Sequence, residues 1–324
     1  MTDNVPTRED VLAAAERIRG RVHNTPLMRC RAIDEATGCE VWLKTENLQK
    51  TGAFKARGAS NAILSMGEDA LRRGVSTHSS GNHGAALAYA AREAGASATV
   101  VMPLAAPAAK KRAVASYGAR IVDCDNTLAA REATLADVVA KSGASVVHPY
   151  NDPRVIAGQG TAALEILQSL PGVNAIVAPV GGGGLLSGTA LAAEGGPPVW
   201  GAEPATVDDA AQSMETGVHA PLTGRHTIAD GLRTRLGERG LAILRRLEVP
   251  IIRVQEATIV RAMRLLFERA KLVVEPSGAV PLAALLEARE SGRGPEGQVA
   301  LILSGGNVDL DTLFTPLESA TGAG

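Results

Sequence analysis

The sequence predicts an α/β fold in which parallel sheets are covered by helices on both faces. Three observations carry that expectation. Short β-rich runs alternate with helical patterns almost throughout the 324 residues. The segment Ala175–Val180 reads as a buried strand, the kind found in the middle of a parallel sheet. Aromatic residues make up only 2% of the chain, so Ala, Val, Leu and Ile must build the core.

The elements follow in order. Thr7-Arg-Glu-Asp10 has the pattern of a capping box and opens a helix through Ile18. Glu40–Glu46 alternates as a strand does. Phe54–Met66 reads as a helix, Val75–His78 as a short strand, and Asn82–Ala94 as a helix ended by Gly95. Ala98–Met102 is a strand, Ala106–Tyr117 a helix stopped by Gly118, and Ile121–Asp123 a strand. Leu128–Lys141 is helical, Ser145–His148 extended, and Arg154–Leu170 helical. Ala175–Val180 runs straight into four glycines, and a helix follows at Leu185–Ala193. Val199–Ala202 is a strand, Thr258–Lys271 and Ser277–Ser291 are helices, and Val299–Leu303 is the last strand. No repeat of fixed period interrupts this rhythm.

Composition excludes several functions. A net charge of −1 gives no footing for nucleic acid or an anionic membrane, and so few aromatics offer no stacking platform for bases. The charge-free stretch from Leu170 to Ala193 is broken by six glycines and two prolines and does not read as a membrane span. The polar start, Met1 to Asp10, does not read as a secretory signal. Cys30, Cys39 and Cys124 are odd in number and lack Cys-x-x-Cys spacing, which argues against structural zinc or a disulfide framework and for a reducing cytoplasm.

Two segments carry the chemistry. Gly181–Gly184 sits between a strand and a helix, where successive backbone N–H groups can converge on one anion with the helix dipole behind them. An ordinary strand–helix turn needs only one or two glycines. The spacing is not the Gly-x-Gly-x-x-Gly of dinucleotide folds, nor does it end in the Gly-Lys-Ser/Thr of a nucleotide P-loop. Lys55, near the start of a helix after Thr51-Gly52-Ala53, is the second feature. Burial and a helix N-terminus both disfavour an ammonium, and a neutral lysine is a nucleophile able to form a Schiff base. Pyridoxal phosphate is a small molecule that needs both an amine and a phosphate cradle. Lys50-Thr51-Gly52 and Ser80-Gly81-Asn82 also suggest a serine acyl-transferase, but no Ser-x-x-Lys occurs anywhere in the chain.

Gly52–Lys55, Ser79-Ser-Gly-Asn-His83, Gly181–Gly184 and Ser304-Gly-Gly306, in that order, resemble the fold-type II pyridoxal-phosphate enzymes. The nearest group is that of serine racemases, serine/threonine dehydratases and hydroxyaspartate dehydratases, and the resemblance runs from about Val11 to about Leu313. It implies two open parallel-sheet domains with the cofactor in the cleft. Residues 1–66 and 151–316 would form the large domain, 67–150 the small substrate-binding domain, and 317–324 a tail.

The same resemblance implies the site. Lys55 would bond the cofactor and move a proton on one ring face, and Phe54 would pack beside the ring. Gly181, Gly182, Gly183 and Gly184 would hold the phosphate, Asn82 the ring 3-oxygen, and Ser304 the pyridine nitrogen. Ser79 and the Asn82–His83 backbone would bind the substrate α-carboxylate. A serine hydroxyl cannot keep the ring nitrogen strongly cationic, which favours prompt loss of a β-leaving group over transamination. Ser80 stands where threonine-type dehydratases usually have alanine. In racemase relatives such a serine faces the lysine across the ring. A helix N-cap is its alternative role.

Ala202–Asp209 resembles the divalent-cation loop of the racemase group, with Glu203, Asp209 and the Val207 carbonyl as oxygen ligands for Mg²⁺ or Ca²⁺. Arg131 lines up with an arginine that reaches the substrate pocket, where a guanidinium can grip a carboxylate in bidentate fashion. Lys50, Thr51, Arg269, Lys271 and Asn307 fit a nucleotide-effector pattern, but Cys30-Arg31 stands where a serine pair is expected and counts against ATP. Of the six histidines, His83 alone is expected to serve the site. The resemblance further implies a homodimer, no regulatory domain after Ser304-Gly-Gly306, and no isoleucine feedback. The expected activity is that of an ammonia-lyase acting on L-serine, L-threonine or 3-hydroxyaspartate. The alternatives are a serine or aspartate racemase using Lys55 and Ser80, and a cofactor-holding regulator without turnover.

Overall fold

The computed structural model describes residues 5–79, 81–222 and 226–309. Its strands are β1 (Leu27–Arg29), β2 (Glu40–Lys44), β3 (Val75–His78), β4 (Ala98–Pro103), β5 (Arg120–Cys124), β6 (Ser145–Val146), β7 (Ala175–Pro179), β8 (Val199–Pro204), β9 (Ile251–Val254) and β10 (Gln298–Ile302). They form a six-stranded sheet in the order β1-β2-β10-β7-β8-β9 and a four-stranded sheet in the order β5-β4-β3-β6. Among the strands of the described residues, only the pairing of edge strand β1 with β2 is antiparallel. No helix among the described residues is long and apolar enough to cross a membrane.

The core shows why the central strands are apolar throughout. All five residues of β7 are buried. Ile176 and Ala178 join one apolar cluster with Ile156, Leu164 and Leu186, while Ala175 and Val177 join another with Leu43, Leu282 and Leu285. In β10, Ala300 and Ile302 go to the first cluster and Val299 and Leu301 to the second. Successive side chains of a strand point to opposite faces, so both faces of the sheet are covered by helices.

Local chemistry sets the helix ends. The helix Arg8–Ile18 starts in a complete capping box, with Thr7 N–H donating to Asp10 Oδ2 at 2.8 Å and Asp10 N–H to Thr7 Oγ1 at 3.4 Å. Asp152 caps Pro153–Ser169, whose first residue is the proline that a helix N-terminus tolerates.

Several boundaries differ from expectation. The helix expected at Phe54–Met66 spans Lys55–Leu64, and that expected at Ala106–Tyr117 spans Ala108–Ser116. The strand from Glu40 stops at Lys44, because Glu46–Leu48 winds into a 3₁₀ turn. Ser145–His148 pairs only over Ser145–Val146, since His148 begins a turn. Thr258–Lys271 is an α-helix over Glu256–Leu265 followed by a π-turn, Leu266–Ala270. Strands β1 and β9 and the helices Arg31–Thr37, Glu68–Arg73, Asp209–Thr216 and Glu238–Arg246 were not anticipated.

The topology places the two glycine motifs side by side. Strands β7 and β10 are adjacent and parallel, so the loops leaving their carboxyl ends emerge at the same edge. Those loops carry Gly181–Gly184 and Ser304-Gly-Gly306.

Candidate active site

Lys55 is the first residue of its helix, and the backbone before it is stitched to the chain beyond β10. Phe54 N–H donates to Ser304 O at 3.0 Å, Gly306 N–H to Gly52 O at 2.9 Å, and Ala53 bridges Gly305. Ser304 is buried. The Lys55 Nζ donates to the Pro149 carbonyl at 2.8 Å and lies 4.9 Å from the centre of the Phe54 ring. Burial lowers its pKa to about 8, against the opposing pull of Glu275. An ammonium this close to neutral pH gives up its proton readily, as a nucleophilic or proton-moving lysine must.

The four glycines form a backbone cradle. A side chain at Gly182 would put its Cβ 2.3 Å from the Tyr150 ring, and one at Gly181 would meet the Leu232 Cα at 2.8 Å. Gly183 has φ +88°, which L-residues rarely adopt. It is the N-cap of Gly184–Ala192, and no side chain caps that helix. The first-turn N–H groups therefore remain available to an anion.

Asn82 opens the helix Asn82–Glu93 at the end of the β3 loop, with Gly81 as N-cap. Ser80, expected as catalytic and substrate-binding or as that N-cap, lies outside the described residues. The Asn82 side chain donates to Glu275 Oε1 at 2.8 Å and accepts from Asn307 Nδ2 at 2.9 Å. Ser79 Oγ accepts from Gly81 N–H at 3.2 Å and Gly84 N–H at 3.1 Å, so it shapes the loop ahead of the helix. His83 is buried, with Nε2 3.1 Å from Val147 O and Nδ1 without a hydrogen-bond partner, and burial holds its pKa well below the usual value.

At the end of β8, both Glu203 oxygens accept backbone N–H groups, from Ala210 at 3.0 Å and Ala211 at 2.9 Å. Asp209 Oδ2 accepts from Leu236 N–H at 2.8 Å, while its Oδ1 is buried without a partner. Burial raises Glu203 to about 8, with Asp209 adding repulsion, and also raises Asp209. Val207 is buried in the turn between them. An orphaned carboxylate oxygen and two buried carboxyl groups, both raised by burial, fit a hard divalent cation. Among the described residues no group of three or more His, Cys, Asp or Glu side chains could hold a metal. A cation here would therefore depend on carbonyl and water ligands as well.

Arg131, on the helix Leu128–Ser142, has a buried Nε with no partner, and burial, opposed by Glu132 and aided by the Arg131 charge, holds the nearby His78 below its ordinary pKa. His78 packs edge-on against His148, with centroids 5.9 Å apart.

Behind Lys55 lies a closed knot of charge. Arg57 is wholly buried and donates to Glu46 at 2.7 and 2.8 Å and to Glu165 at 2.7 and 2.8 Å. Lys44 donates to Glu165 at 2.5 Å and to Thr25 O at 2.6 Å. Two cations meet two carboxylates, and the knot fixes the helix that begins at Lys55 against β2 and Pro153–Ser169.

Two site residues escaped the sequence reading. Glu275 is buried, bonds Asn82, and is pushed up to about 7 by burial and by Asp230. Tyr150 closes over the glycine cradle. Tyr150 follows the carbonyl that holds Lys55, but nothing local to either residue signals its distant partners.

A family model described as pyridoxal-phosphate dependent enzyme matches residues 18–305. A beta-hydroxyaspartate dehydratase of Paracoccus denitrificans is 44% identical over 312 residues, 95% of this chain and 98% of that protein. A serine racemase of Dictyostelium discoideum is 43% identical over 312 residues, covering 95% of this chain and 96% of its own. Among solved structures, maize serine racemase matches with a TM-score of 0.93 at 40% identity, covering 98% of this chain and 99% of that one.

Proposed function

We propose that this chain, which belongs to the family of pyridoxal-phosphate-dependent enzymes, is an ammonia-lyase that converts a small β-hydroxy amino acid to a 2-oxo acid and ammonia. The observation that carries the reading is Lys55, an amine whose pKa is lowered to about 8 and which shares one edge of the sheet with an uncapped glycine cradle. Pyridoxal phosphate, when bound, supplies an electron sink for the pair left on the substrate's α-carbon.

In this reading Lys55 would hold the cofactor and move the α-proton at Nζ. Gly181, Gly182, Gly183 and Gly184 would hold the phosphate through backbone N–H groups, and Phe54, Asn82 and Ser304 would hold the ring. Ser79, Ser80, Asn82 and His83 would place the substrate carboxylate. Arg131 would take a second carboxylate. A buried guanidinium nitrogen without a partner supports that role and puts 3-hydroxyaspartate ahead of L-serine and L-threonine. Glu203, Asp209 and the Val207 carbonyl would hold Mg²⁺ or Ca²⁺.

Residues 67–150 would form the small domain, a division supported by the four-stranded sheet lying between Val75 and Val146. Residues 1–66 and 151–316 would form the large one. Cytoplasmic location and a homodimer are part of the same proposal. Purified protein with each hydroxyaspartate diastereomer, serine and threonine is expected to release ammonia and 2-oxo acid in equal amounts. Release from none of them rejects the lyase.

Relatives named serine racemase at similar identity favour a second activity, with Lys55 and Ser80 as opposed bases. Chiral chromatography after incubation in deuterated water measures it. Failure to form D-isomer, or unchanged racemisation in Ser80→Ala, rejects it.

A further inference from the structure

The residues 148–151 form a turn that does two things for the site at once. Its second residue, Pro149, presents the carbonyl that accepts from Lys55 Nζ at 2.8 Å. Its third, Tyr150, lays its ring on the glycine cradle so closely that a Cβ at Gly182 would lie 2.3 Å from ring Cγ. One side-chain atom holds the turn from within. His148 Nδ1 accepts from Asn151 N–H at 3.0 Å and, more weakly, from Tyr150 N–H at 3.4 Å. The far side is held by Arg239, whose backbone N–H donates to Asn151 Oδ1 at 3.1 Å and whose guanidinium donates to Asn151 O at 2.8 Å.

We infer that His148 is a positioning residue, acting through the Nδ1 acceptor that folds this turn and thereby sets both the carbonyl anchor of Lys55 and the Tyr150 wall of the cradle. The inference rests on the pyridoxal-phosphate reading of the site. It departs from the sequence, which placed His148 among the merely structural histidines.

The chemistry of the ring makes the assignment specific. A ring nitrogen can accept only when it carries no proton, so the turn requires a neutral imidazole with its hydrogen on Nε2. The surroundings maintain that state. Burial, His78, Lys55 and Arg239 all disfavour a charge on His148, only Asp152 favours one, and the balance brings its pKa to about 4. The ring also stacks edge-on with Tyr150, centroids 4.6 Å apart, and with His78. Packing and hydrogen bonding are therefore two separable contributions.

Two substitutions separate them. His148→Phe keeps an aromatic ring for His78 and Tyr150 but removes the acceptor. His148→Asn loses the ring but keeps a side-chain oxygen that can bond the N–H two residues on, as asparagine does in an Asx-turn. The affinity of the apoprotein for pyridoxal phosphate and the kcat for ammonia release are measured for both, beside the thermal midpoint. In the wild type, ¹⁵N NMR reads the His148 tautomer at pH 7.

We expect an unprotonated Nδ1. We also expect H148F to lose about tenfold in cofactor affinity and in kcat with KM little changed, and H148N to stay within about threefold of wild type. An Nδ1–H tautomer, or H148F retaining affinity and kcat while H148N loses them, overturns the inference. So do equal losses in both variants. Wild-type protein that takes up no pyridoxal phosphate overturns the underlying reading, and this inference with it.

Discussion

Lys55 and Arg57 stand two residues apart on one helix, yet their electrostatic surroundings are opposite. Every charge around Arg57 has a partner: two cations face two carboxylates, and four Arg57 bonds of 2.7–2.8 Å close the set. Burial alone would raise Glu46, but Arg57 draws it below its ordinary value. Around Lys55 the groups are left short. Lys55 has one carbonyl, and Glu275 has an amide for a main partner and sits near 7. A completed cluster holds its protons fixed and serves as a frame. An incomplete one holds groups near neutrality, ready to take a ligand or exchange a proton.

The contrast can be broken from either side. Lys55→Ala is expected to lower ammonia release by about 10²–10⁴-fold while leaving the urea midpoint nearly unchanged. A large loss of stability with activity retained would reverse the roles assigned to the two residues.

Arg57→Ala should do the opposite first. It leaves Glu46 and Glu165 without their main partner, and urea unfolding is expected to show a loss of about 3–5 kcal/mol. A loss below about 1 kcal/mol would mean that the knot is not a frame.

The Glu203–Asp209 pair sharpens the comparison, because a cation should complete it. Mg²⁺ or Ca²⁺ at a hundredfold excess over its Kd should add about 2.7 kcal/mol of stability. That gain should vanish in Glu203→Gln and in Asp209→Asn. A gain that survives both variants places the cation elsewhere.

Glu275 gives an effect of similar size, on the order of 1–3 kcal/mol. Its folded pKa, about 7, lies above the ordinary 4.5. Between those values the folded chain keeps a proton that the unfolded chain has lost. Stability on its account is therefore greatest below about pH 4.5 and falls as pH rises towards 7. Glu275→Gln should flatten that part of the pH–stability curve, and an unchanged slope would count against a proton held there.

The buried parallel strands were legible because their alternating residues feed two cores, as Ile176 and Val177 do, and must be apolar throughout. The glycine run and Lys55 stood out because chemistry and backbone geometry both leave a mark on local sequence, whereas Ser304 came from the family pattern. Strand β9 was not, since it is short and follows Pro250 directly. The π-turn at Leu266–Ala270 changes helical register without a change in composition. Glu275 and the Pro149 carbonyl could not be found locally, because their partners lie 193 and 94 residues away. Their roles come from tertiary contacts. Roles read at Ser79, Asn82 and Arg131 came from the family pattern, and the geometry adds which of their atoms are engaged and which are not.

The most direct test is chemical trapping. Protein incubated with pyridoxal phosphate, reduced with borohydride, digested and sequenced by mass spectrometry should carry a pyridoxyl group on Lys55. Labelling confined to other lysines, or absent altogether, would contradict the account.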